Sequence, residues 1–542
     1  MKFTWKHLKR DTNLWSLFLV IIGLFISLPL LSLLIHLWKG PGEMWGHIQE
    51  YLLLDYIQNS ILVLIGTGIL SFLIGTSSAW IVSNYEFKGR KWIEWLLFFP
   101  LAIPSYIVAY AYVGLLGNGS GVSQMMVALN LPFTKVDMMN IPGLVWVLSI
   151  SLYPYVYVGT RAMFKSFQSS VSEAAYVLGA SKWRYFIKIA LPLASPAIIG
   201  GLFLVSMEVL NDYGAAKYYG VNTFTTGIFR TWAALEDLPS AIYLSALLVL
   251  LVAILGLLVR WWRGKKSFVM ELGSQKARGQ RLERLGLKGR VLCYILLLIP
   301  LLGGLFLPLI QLFYWAMLTY EEMLSIQLVE IVFQTFGIAF VASMSILLFS
   351  LLLIYLSQWN PFKPFDFFKR LATIGYVLPG AIIGIGVIRS SQSIIDFFYQ
   401  HFEWKMGYLI YGSSLVLIYA YVFRFLAVAF NPLEANGMKL GRYLSESSYL
   451  LGGSRWKTLW QIDRPLLRKA LLGSFLLCFI DVMKELPLTL ILKPYTLQTL
   501  AVKAYEYADD ERVAEAAIPA LLLIGTVGVI LLGVKYMERR VE

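Results

Sequence analysis

The sequence has 542 residues, of which 58% are hydrophobic and 14% are charged, and this excludes an ordinary soluble enzyme, because soluble domains are nearer to one quarter charged. Two cysteines exclude a disulfide scaffold or a cysteine-rich metal site, and four histidines leave little for a histidine-based zinc site. The net charge of +14 fits nucleic acid, acidic lipid or a membrane topology with its basic residues on one side.

Twelve mostly apolar segments are long enough to cross a membrane, which takes about 20 helical residues. In chain order they cover approximately residues 13–37, 57–84, 93–116, 142–164, 192–210, 240–262, 291–318, 331–357, 371–388, 407–430, 465–490 and 516–537. The third and ninth are rich in proline and glycine, which would permit close approach or local bending, although simple helix packing explains each residue equally well. The sequence therefore predicts an all-α polytopic membrane protein with 12 transmembrane helices.

Basic residues are concentrated in the loops on the side of the N-terminus, and the opposite loops carry an excess of acidic residues. Basic loops stay on the cytoplasmic side of a membrane, so we expect both termini to be cytoplasmic. The longest basic stretch, residues 263–290, is interspersed with glycine and is interpreted as a solvated cytoplasmic linker. A lipid-binding or nucleic-acid-binding arm is the alternative interpretation of this stretch.

An internal repeat connects the two halves of the chain. Residues 173–192 read EAAYVLGASKWRYFIKIALP and residues 446–465 read ESSYLLGGSRWKTLWQIDRP, with corresponding residues 273 positions apart. Asp212 and Glu485 form a conservative pair at the same offset. Both repeated segments are too polar to cross the membrane and fall on the predicted cytoplasmic side. They are interpreted as mechanical levers, with two ordinary interfacial helices as the alternative.

The repeat predicts two pseudo-symmetric domains of six helices each. The first domain covers residues 1–262, with a coupling loop at 170–192. The second domain covers residues 291–542, with a coupling loop at 443–465, and the linker 263–290 joins the two domains.

The repeated segments resemble the EAA loop of ABC importer permeases. The residues that match in the first copy are Glu173, Ala174, Ala175, Gly179, Ile189, Leu191 and Pro192. The second copy keeps Glu446 and Gly452 but has Ser447 and Ser448 in place of the alanines, and serine is small enough to pack in the same way. The resemblance extends over nearly the whole chain and is greatest to the fused two-domain permeases of ferric-iron uptake. Thiamine, polyamine and phosphonate permeases look similar and stay open as alternatives.

The resemblance implies a type I ABC importer fold and a bacterial inner-membrane subunit that is not itself an enzyme. It implies that a separate ATPase dimer, which binds ATP and Mg²⁺, docks on the two coupling loops, and that this chain binds no cofactor. A periplasmic or lipid-anchored binding protein would deliver the substrate to the outer face. The chain has no G-x-x-x-x-G-K-[ST] phosphate loop, in agreement with this division of labour.

Ionisable residues near the bilayer are candidates for the substrate path. Asp212, Glu485, Glu208 and Asp481 are predicted at the outer ends of the fifth and eleventh spans, where carboxylates would suit a cationic metal. The alternative is that Lys484 neutralises one of these acids and that the group is structural. Three tyrosines could line the path or pack in the core, and two arginines are interpreted as anchors at the inner ends of their spans; these are Tyr106, Tyr110, Tyr112, Arg161 and Arg424.

Two other classes of protein are weighed against this prediction. A secondary transporter with two repeats of six spans has the same gross architecture, but it leaves the polar segments at 173 and 446 without a function. A polytopic membrane enzyme would need a cluster of nucleophile, base or metal ligands, and the sequence indicates none.

Overall fold

The computed structural model describes residues 14–117, 137–166, 174–264, 282–359, 366–440 and 450–539, together with residues 120, 123, 126, 447 and 448. Glu173 and Glu446 of the predicted coupling loops lie outside the described residues, as do residues 265–281 of the basic linker. Within the described ranges the chain is helical apart from turns and two short strands. Strand β1 (Tyr85–Glu86) pairs in parallel with strand β2 (Glu283–Arg284).

Twelve long helices are present in the described ranges, and we number them in chain order. They are α1 (Leu14–Leu37), α2 (Leu53–Asn84), α3 (Ser105–Leu116), α4 (Ile141–Ser166), α5 (Leu191–Asn211), α6 (Leu238–Gly264), α7 (Leu287–Met323), α8 (Ile326–Trp359), α9 (Gly380–Phe402), α10 (Leu415–Leu440), α11 (Arg464–Lys484) and α12 (Ala517–Arg539).

Shorter helical segments connect the long helices. The short α-helices are Trp45–His47, Arg90–Leu96, Lys182–Tyr185, Gly214–Tyr218, Phe224–Phe229, Asp366–Ala372, Gly407–Tyr411, Arg455–Thr458, Pro487–Leu492 and Leu500–Asp509. The connecting π-helical turns are Ile48–Leu52, Phe186–Ala190, Arg230–Ala234 and Leu459–Asp463, and the 3₁₀ turns are Phe99–Ala102 and Thr373–Val377. A further π turn, Leu302–Phe306, lies within α7.

The all-α polytopic prediction is confirmed. Nine helical segments of the described chain are long and apolar enough to cross a membrane, and a tenth is a pair bent by 98° between Arg90–Ala102 and Ser105–Leu116. The other two predicted spans correspond to α11 and α12. Helix α11 carries charged residues at both ends, and the apolar part of α12, Ala517–Gly533, is shorter than the other spans.

Several predicted spans have different boundaries in the structure. The third predicted span is broken just before α3, since Pro104 cannot continue a helix from the preceding turn. The ninth was predicted at 371–388, but α9 begins at Gly380 and runs to Phe402. The tenth was predicted to end at residue 430, but α10 continues to Leu440 through a polar last part.

The same series of elements occurs before α5 and before α11. In the first half the short helix Lys182–Tyr185 and the π turn Phe186–Ala190 lead into α5. In the second half Arg455–Thr458 and Leu459–Asp463 lead into α11 at the same offset as the sequence repeat. The repeat is thus visible in local structure, including the π turns that the sequence did not indicate.

The first helix of each half packs against the other half. Helix α1 lies along α9, and α7 lies along α3. At both contacts a glycine permits the approach, because a Cβ on Gly386 would come within 2.7 Å of the Pro29 carbonyl oxygen and one on Gly114 within 2.0 Å of the Trp315 ring. The two halves therefore hold each other through exchanged helices and surround a common centre.

Candidate functional site

A cavity of about 120 Å³ lies between the two halves of the chain. It is bounded by the turns before α3 and α9, by the ends of α5 and α11, and by the middle of α4 and α10. The side chains that carry its polar chemistry are Ser105, Tyr106, Ser151, Tyr155, Glu208, Asn211, Asp212, Tyr213, Tyr376, Arg424, Asp481, Lys484 and Glu485. The cavity brings together all four acids that the sequence predicted for the substrate path.

Two proline turns shape one side of the cavity. Pro104 precedes α3 with backbone angles φ −56° and ψ 142°, and Pro379 precedes α9 with φ −56° and ψ 143°. Proline fixes φ near this value and lacks an N–H, so it suits the first turn of a helix and interrupts what comes before it. The two breaks have the same geometry and place Ser105 and Leu378 at the cavity wall.

Asp212 and Glu485 lie directly after α5 and α11, where each carboxylate starts the next short helix. Asp212 accepts hydrogen bonds from the backbone N–H groups of Ala215 and Ala216 at 3.0 and 3.1 Å. Glu485 accepts bonds from the backbone N–H groups of Leu488 and Thr489, both at 3.0 Å. These two acids thus cap the N-termini of short helices, and the capping fixes their positions at the cavity.

Glu208 and Asp481 occupy corresponding positions one helical turn earlier. The Tyr155 hydroxyl donates a long hydrogen bond to Glu208, with 3.4 Å between the oxygens. Asp481 Oδ1 lies 3.4 Å from Lys484 Nζ, so Asp481 is the acid with which Lys484 forms an ion pair. Glu208 thus accepts one long hydrogen bond from a neutral hydroxyl, whereas Asp481 has a cationic partner and the two capping acids each accept two backbone hydrogen bonds.

Arg424 lines the cavity, and its predicted position was wrong. We expected it at the inner end of its span, but α10 is longer than predicted and Arg424 lies in its middle, 8% exposed. Its Nη1 donates to Asn211 Oδ1 at 3.1 Å and lies 3.8 Å from Glu485 Oε1. Asn211 also accepts a hydrogen bond from the Gly380 N–H at 2.7 Å, so it joins the two halves at the cavity.

The lining carries more negative than positive groups. Four carboxylates face the cavity against two cationic side chains, Arg424 and Lys484. A carboxylate excess in a partly enclosed space favours a cation over an anion, because the low-dielectric walls strengthen the field of the charges.

The three candidate tyrosines have different surroundings. Tyr106 lines the cavity and its hydroxyl donates to the Ala501 carbonyl at 3.2 Å. Tyr112 donates to the Gly303 carbonyl at 3.0 Å, and Tyr110 is 1% exposed and packs near Trp315. Only Tyr106 of the three is among the cavity-lining residues, so packing accounts for the other two.

The predicted coupling loops form two turns of the same type. In the first, the Ala180 N–H donates to the Ala175 carbonyl at 3.0 Å and Gly179 has φ +82°. In the second, the Gly453 N–H donates to the Ser448 carbonyl at 2.8 Å and Gly452 has φ +83°. This bond pattern around a left-handed glycine is the Schellman motif, which ends a helix sharply.

Each turn presents two apolar side chains to the solvent. Val177 and Leu178 are 87% and 86% exposed, and Leu450 and Leu451, at the same offset as the repeat, are both 89% exposed. Ala174 and Ser447 are exposed beside them, while Ala175 is buried. Exposed adjacent apolar side chains on a polar segment are typical of a protein contact surface.

No group of three or more His, Cys, Asp or Glu side chains suited to a metal ion occurs in the described part of the chain. The acids of the cavity are spread over two helices and largely occupied with capping or ion pairs.

Comparison with known proteins places this architecture in a class. Residues 71–264 match the family of binding-protein-dependent transport system inner membrane components. Relatives of that kind align along almost the whole sequence, so the chain resembles ABC importer permeases, and its apolar helices agree with a multi-pass protein of the inner membrane.

Within that class the chain resembles the fused two-domain ferric permeases. It is 22% identical to the Fe(3+)-transport system permease protein FbpB 2 of Haemophilus influenzae, with 95% of this chain and 96% of the relative covered. It is 22% identical to the ferric transport system permease protein FbpB of Actinobacillus pleuropneumoniae, with 95% and 76% covered.

More distant matches extend over parts of the chain. The sulfate transport system permease protein CysT of Escherichia coli is 25% identical over 38% of this chain and 73% of its own length. A solved structure of a bacterial alginate ABC transporter, in complex with an alginate pentasaccharide-bound periplasmic protein, has a TM-score of 0.41 and 20% identity, covering 48% of this chain and 97% of its own.

Proposed function

We propose that this permease moves a cationic substrate, ferric iron, inward across the membrane by alternating access between its two domains, residues 1–262 and 291–542. A separate ATPase dimer supplies the energy from the cytoplasmic side, and it binds the ATP and Mg²⁺. A periplasmic or lipid-anchored binding protein delivers the substrate on the outer side. Both termini and the linker 263–290 then lie in the cytoplasm.

The observation that carries the substrate class is the charge of the central cavity. The four carboxylates exceed the two cationic groups, and carboxylate oxygens are ligands that hard metal cations prefer. An oxyanion, which is the named substrate type of the more distant sulfate relative, would meet repulsion in the same cavity. The two ferric relatives that align over 95% of the chain agree with a cationic cargo.

The coupling turns support an ATPase partner. Each turn combines a sharp stop at a left-handed glycine with a pair of exposed apolar side chains, and the two turns have the same hydrogen bonds. A dimeric partner with two equivalent grooves fits such a pair of equivalent surfaces. We assign the coupling role to Glu173, Ala174, Ala175, Gly179, Glu446, Ser447, Ser448 and Gly452.

The test of the substrate is uptake of ferric ion into proteoliposomes that contain the permease with its ATPase and binding protein. We expect ATP-driven uptake that unlabelled ferric ion suppresses and sulfate does not. Glu208→Gln, which keeps the shape and removes one charge, should reduce uptake by roughly tenfold, an effect of the size expected for one charge in a partly buried site. Ser206→Ala on the same helix, outside the cavity lining, is the matched control and should transport normally.

Uptake of sulfate, or unchanged ferric uptake in Glu208→Gln, would contradict a cation path. An organic polycation is the second candidate, since a negative cavity accommodates it equally well. Spermidine that is itself taken up, while ferric ion is not, would reassign the permease to polyamines.

A further inference from the structure

Two ion pairs of opposite polarity occupy corresponding places in the two halves. We call Arg90–Leu96 and Asp366–Ala372 the pre-break helices, since each precedes a proline break. Glu94 of the first pre-break helix forms an ion pair with Arg161, near the end of α4. In the second half the base is on the pre-break helix and the acid on α10.

The second pair joins Lys369 to Glu434, with 2.9 Å between Nζ and Oε1. Its position corresponds to the first pair in two ways. Lys369 lies ten residues before Pro379, as Glu94 lies ten residues before Pro104. Glu434 follows Arg161 by the same offset that relates the two coupling segments.

One face of α4 is fastened to the first pre-break helix. The hydroxyls of Tyr153 and Tyr157 donate to the carbonyls of Leu97 and Glu94, both at 2.9 Å. Arg161 and Lys165 both bond the Glu94 carboxylate. These four α4 residues follow each other at intervals of four, so they form one stripe along the helix.

The second half has a simpler version of this contact. Lys369 Nζ lies 5.7 Å from the ring centroid of Phe430, which corresponds to Tyr157 in the repeat. The side chains of Lys369 and Glu434 are 17% and 30% exposed, and that of Glu94 is 12% exposed. Both pairs are therefore partly buried, where the loss of one partner leaves a charge without compensation.

We propose that these two ion pairs are struts that pass the motion of the coupling segments to the broken spans, and that Glu94, Arg161, Lys369 and Glu434 are positioning residues for transport. The proposal rests on the transport function proposed above. The coupling segments follow α4 and α10 in the chain. The pre-break helices lead through the proline turns to the cavity wall. Each ion pair therefore lies on a short connection between a coupling segment and the cavity.

The opposite polarity confines each strut to its own half. If a pre-break helix approached the α4 or α10 helix of the other half, Glu94 would meet Glu434 and Lys369 would meet Arg161. Both contacts are between like charges and are repulsive. Such an arrangement disfavours the wrong pairing while the two halves move against each other.

The test reverses the charges of the strut in the second half, because this strut is a simple pair of one base and one acid. Lys369→Glu and Glu434→Lys are made singly and together in the reconstituted complex with ATPase and binding protein. Ferric uptake, ATP hydrolysis and the melting temperature are measured for each. We expect each single reversal to lower uptake per ATP by roughly tenfold, within the range of coupling between distant sites. The double reversal should restore most of the ratio, since it regains the ion pair within the second half although both struts then have the same polarity.

The matched control is Lys493→Glu. Lys493 and Glu506 form an ion pair at 3.2 Å with side-chain exposures of 17% and 33%, close to those of the strut. The pair lies outside the connection between coupling segment and break, so its loss should leave uptake per ATP unchanged.

The strut is overturned if the single reversals keep the wild-type ratio of uptake to hydrolysis, or if the double reversal fails to restore it. It is also overturned if Lys493→Glu changes the ratio as much as the strut variants do. A wild-type complex without ATP-dependent uptake would instead overturn the transport function. The two failures are therefore distinguishable.

Discussion

Single residues at the cavity have roles that their identity alone does not reveal. Asp212 and Glu485 correspond in the repeat, and both acids cap the short helix that follows their span. The Glu208 carboxylate accepts one long hydrogen bond from a neutral hydroxyl, and it is therefore more available to a substrate than the two capping acids. The chemistry of the four acids is thus decided by their hydrogen bonds, and the substrate test above is directed at Glu208 for this reason.

The coupling glycines allow a prediction at this scale. Gly179 and Gly452 have left-handed backbone conformations with open space around them. A side chain at either position would therefore strain the backbone without a steric clash. A β-branched residue with this φ is a strong outlier, and a residue other than glycine there costs about 1–2 kcal/mol. We expect Gly179→Val and Gly452→Val to distort the turn, and to uncouple ATP hydrolysis from uptake while membrane insertion stays normal.

The matched controls are Gly179→Asn and Gly452→Asn, because asparagine visits the left-handed region more readily. These variants should retain most of the uptake per ATP. Normal coupling in both valine variants would contradict the role of the glycines.

At the scale of helices and turns, the structure reveals a surface on the coupling segments that the sequence did not indicate. The repeat and its resemblance to the EAA loop predicted where they lie. The four exposed apolar side chains were not singled out, because a Val-Leu or Leu-Leu pair in a sequence looks like part of a core. Their exposure depends on the sharp turn at the glycine, which only the three-dimensional structure shows.

These exposed side chains give a second prediction. Leu178→Asp and Leu451→Asp should weaken the association of the ATPase with the permease, since each replaces an apolar contact by a charge that must be desolvated. Because Leu178 and Leu451 are 86% and 89% exposed, we expect the melting temperature of the permease alone to change little.

Co-purification of the ATPase with the permease in detergent measures this association. The control is Tyr408→Asp, because Tyr408 is 92% exposed and lies away from the coupling turns, and this variant should retain the ATPase. Full ATPase recovery with both leucine variants would exclude these side chains from the interface.

Helix positions were predictable from apolar runs, but breaks and polar helix ends were not. A run of apolar residues looks the same whether or not Pro104 interrupts it, so the third span was predicted as one helix. The end of α10 contains Asn431, Glu434 and Asn436, and this polarity concealed the continuation of the helix. Arg424 was misplaced as a result, although a longer helical pattern through residue 440 would have placed it in the middle.

At the scale of the whole molecule, the exchanged helices and the shared cavity describe one unit made from two repeats. Helix α1 packs on α9 and α7 packs on α3, so neither half surrounds the cavity alone. Sequence periodicity could predict the repeat but not this exchange, because both contacts depend on close approaches at glycines far apart in the chain. The net charge of +14 is explained by topology if both termini are cytoplasmic, which remains a prediction.

The architecture of two repeats would also suit a secondary transporter, and the energy source separates the two classes. The most direct measurement is ferric uptake in proteoliposomes that contain the permease, its ATPase and its binding protein, with and without ATP and vanadate. We expect uptake that requires ATP and the ATPase and that vanadate stops. Uptake that continues on an ion gradient alone, without any ATPase subunit, would contradict it.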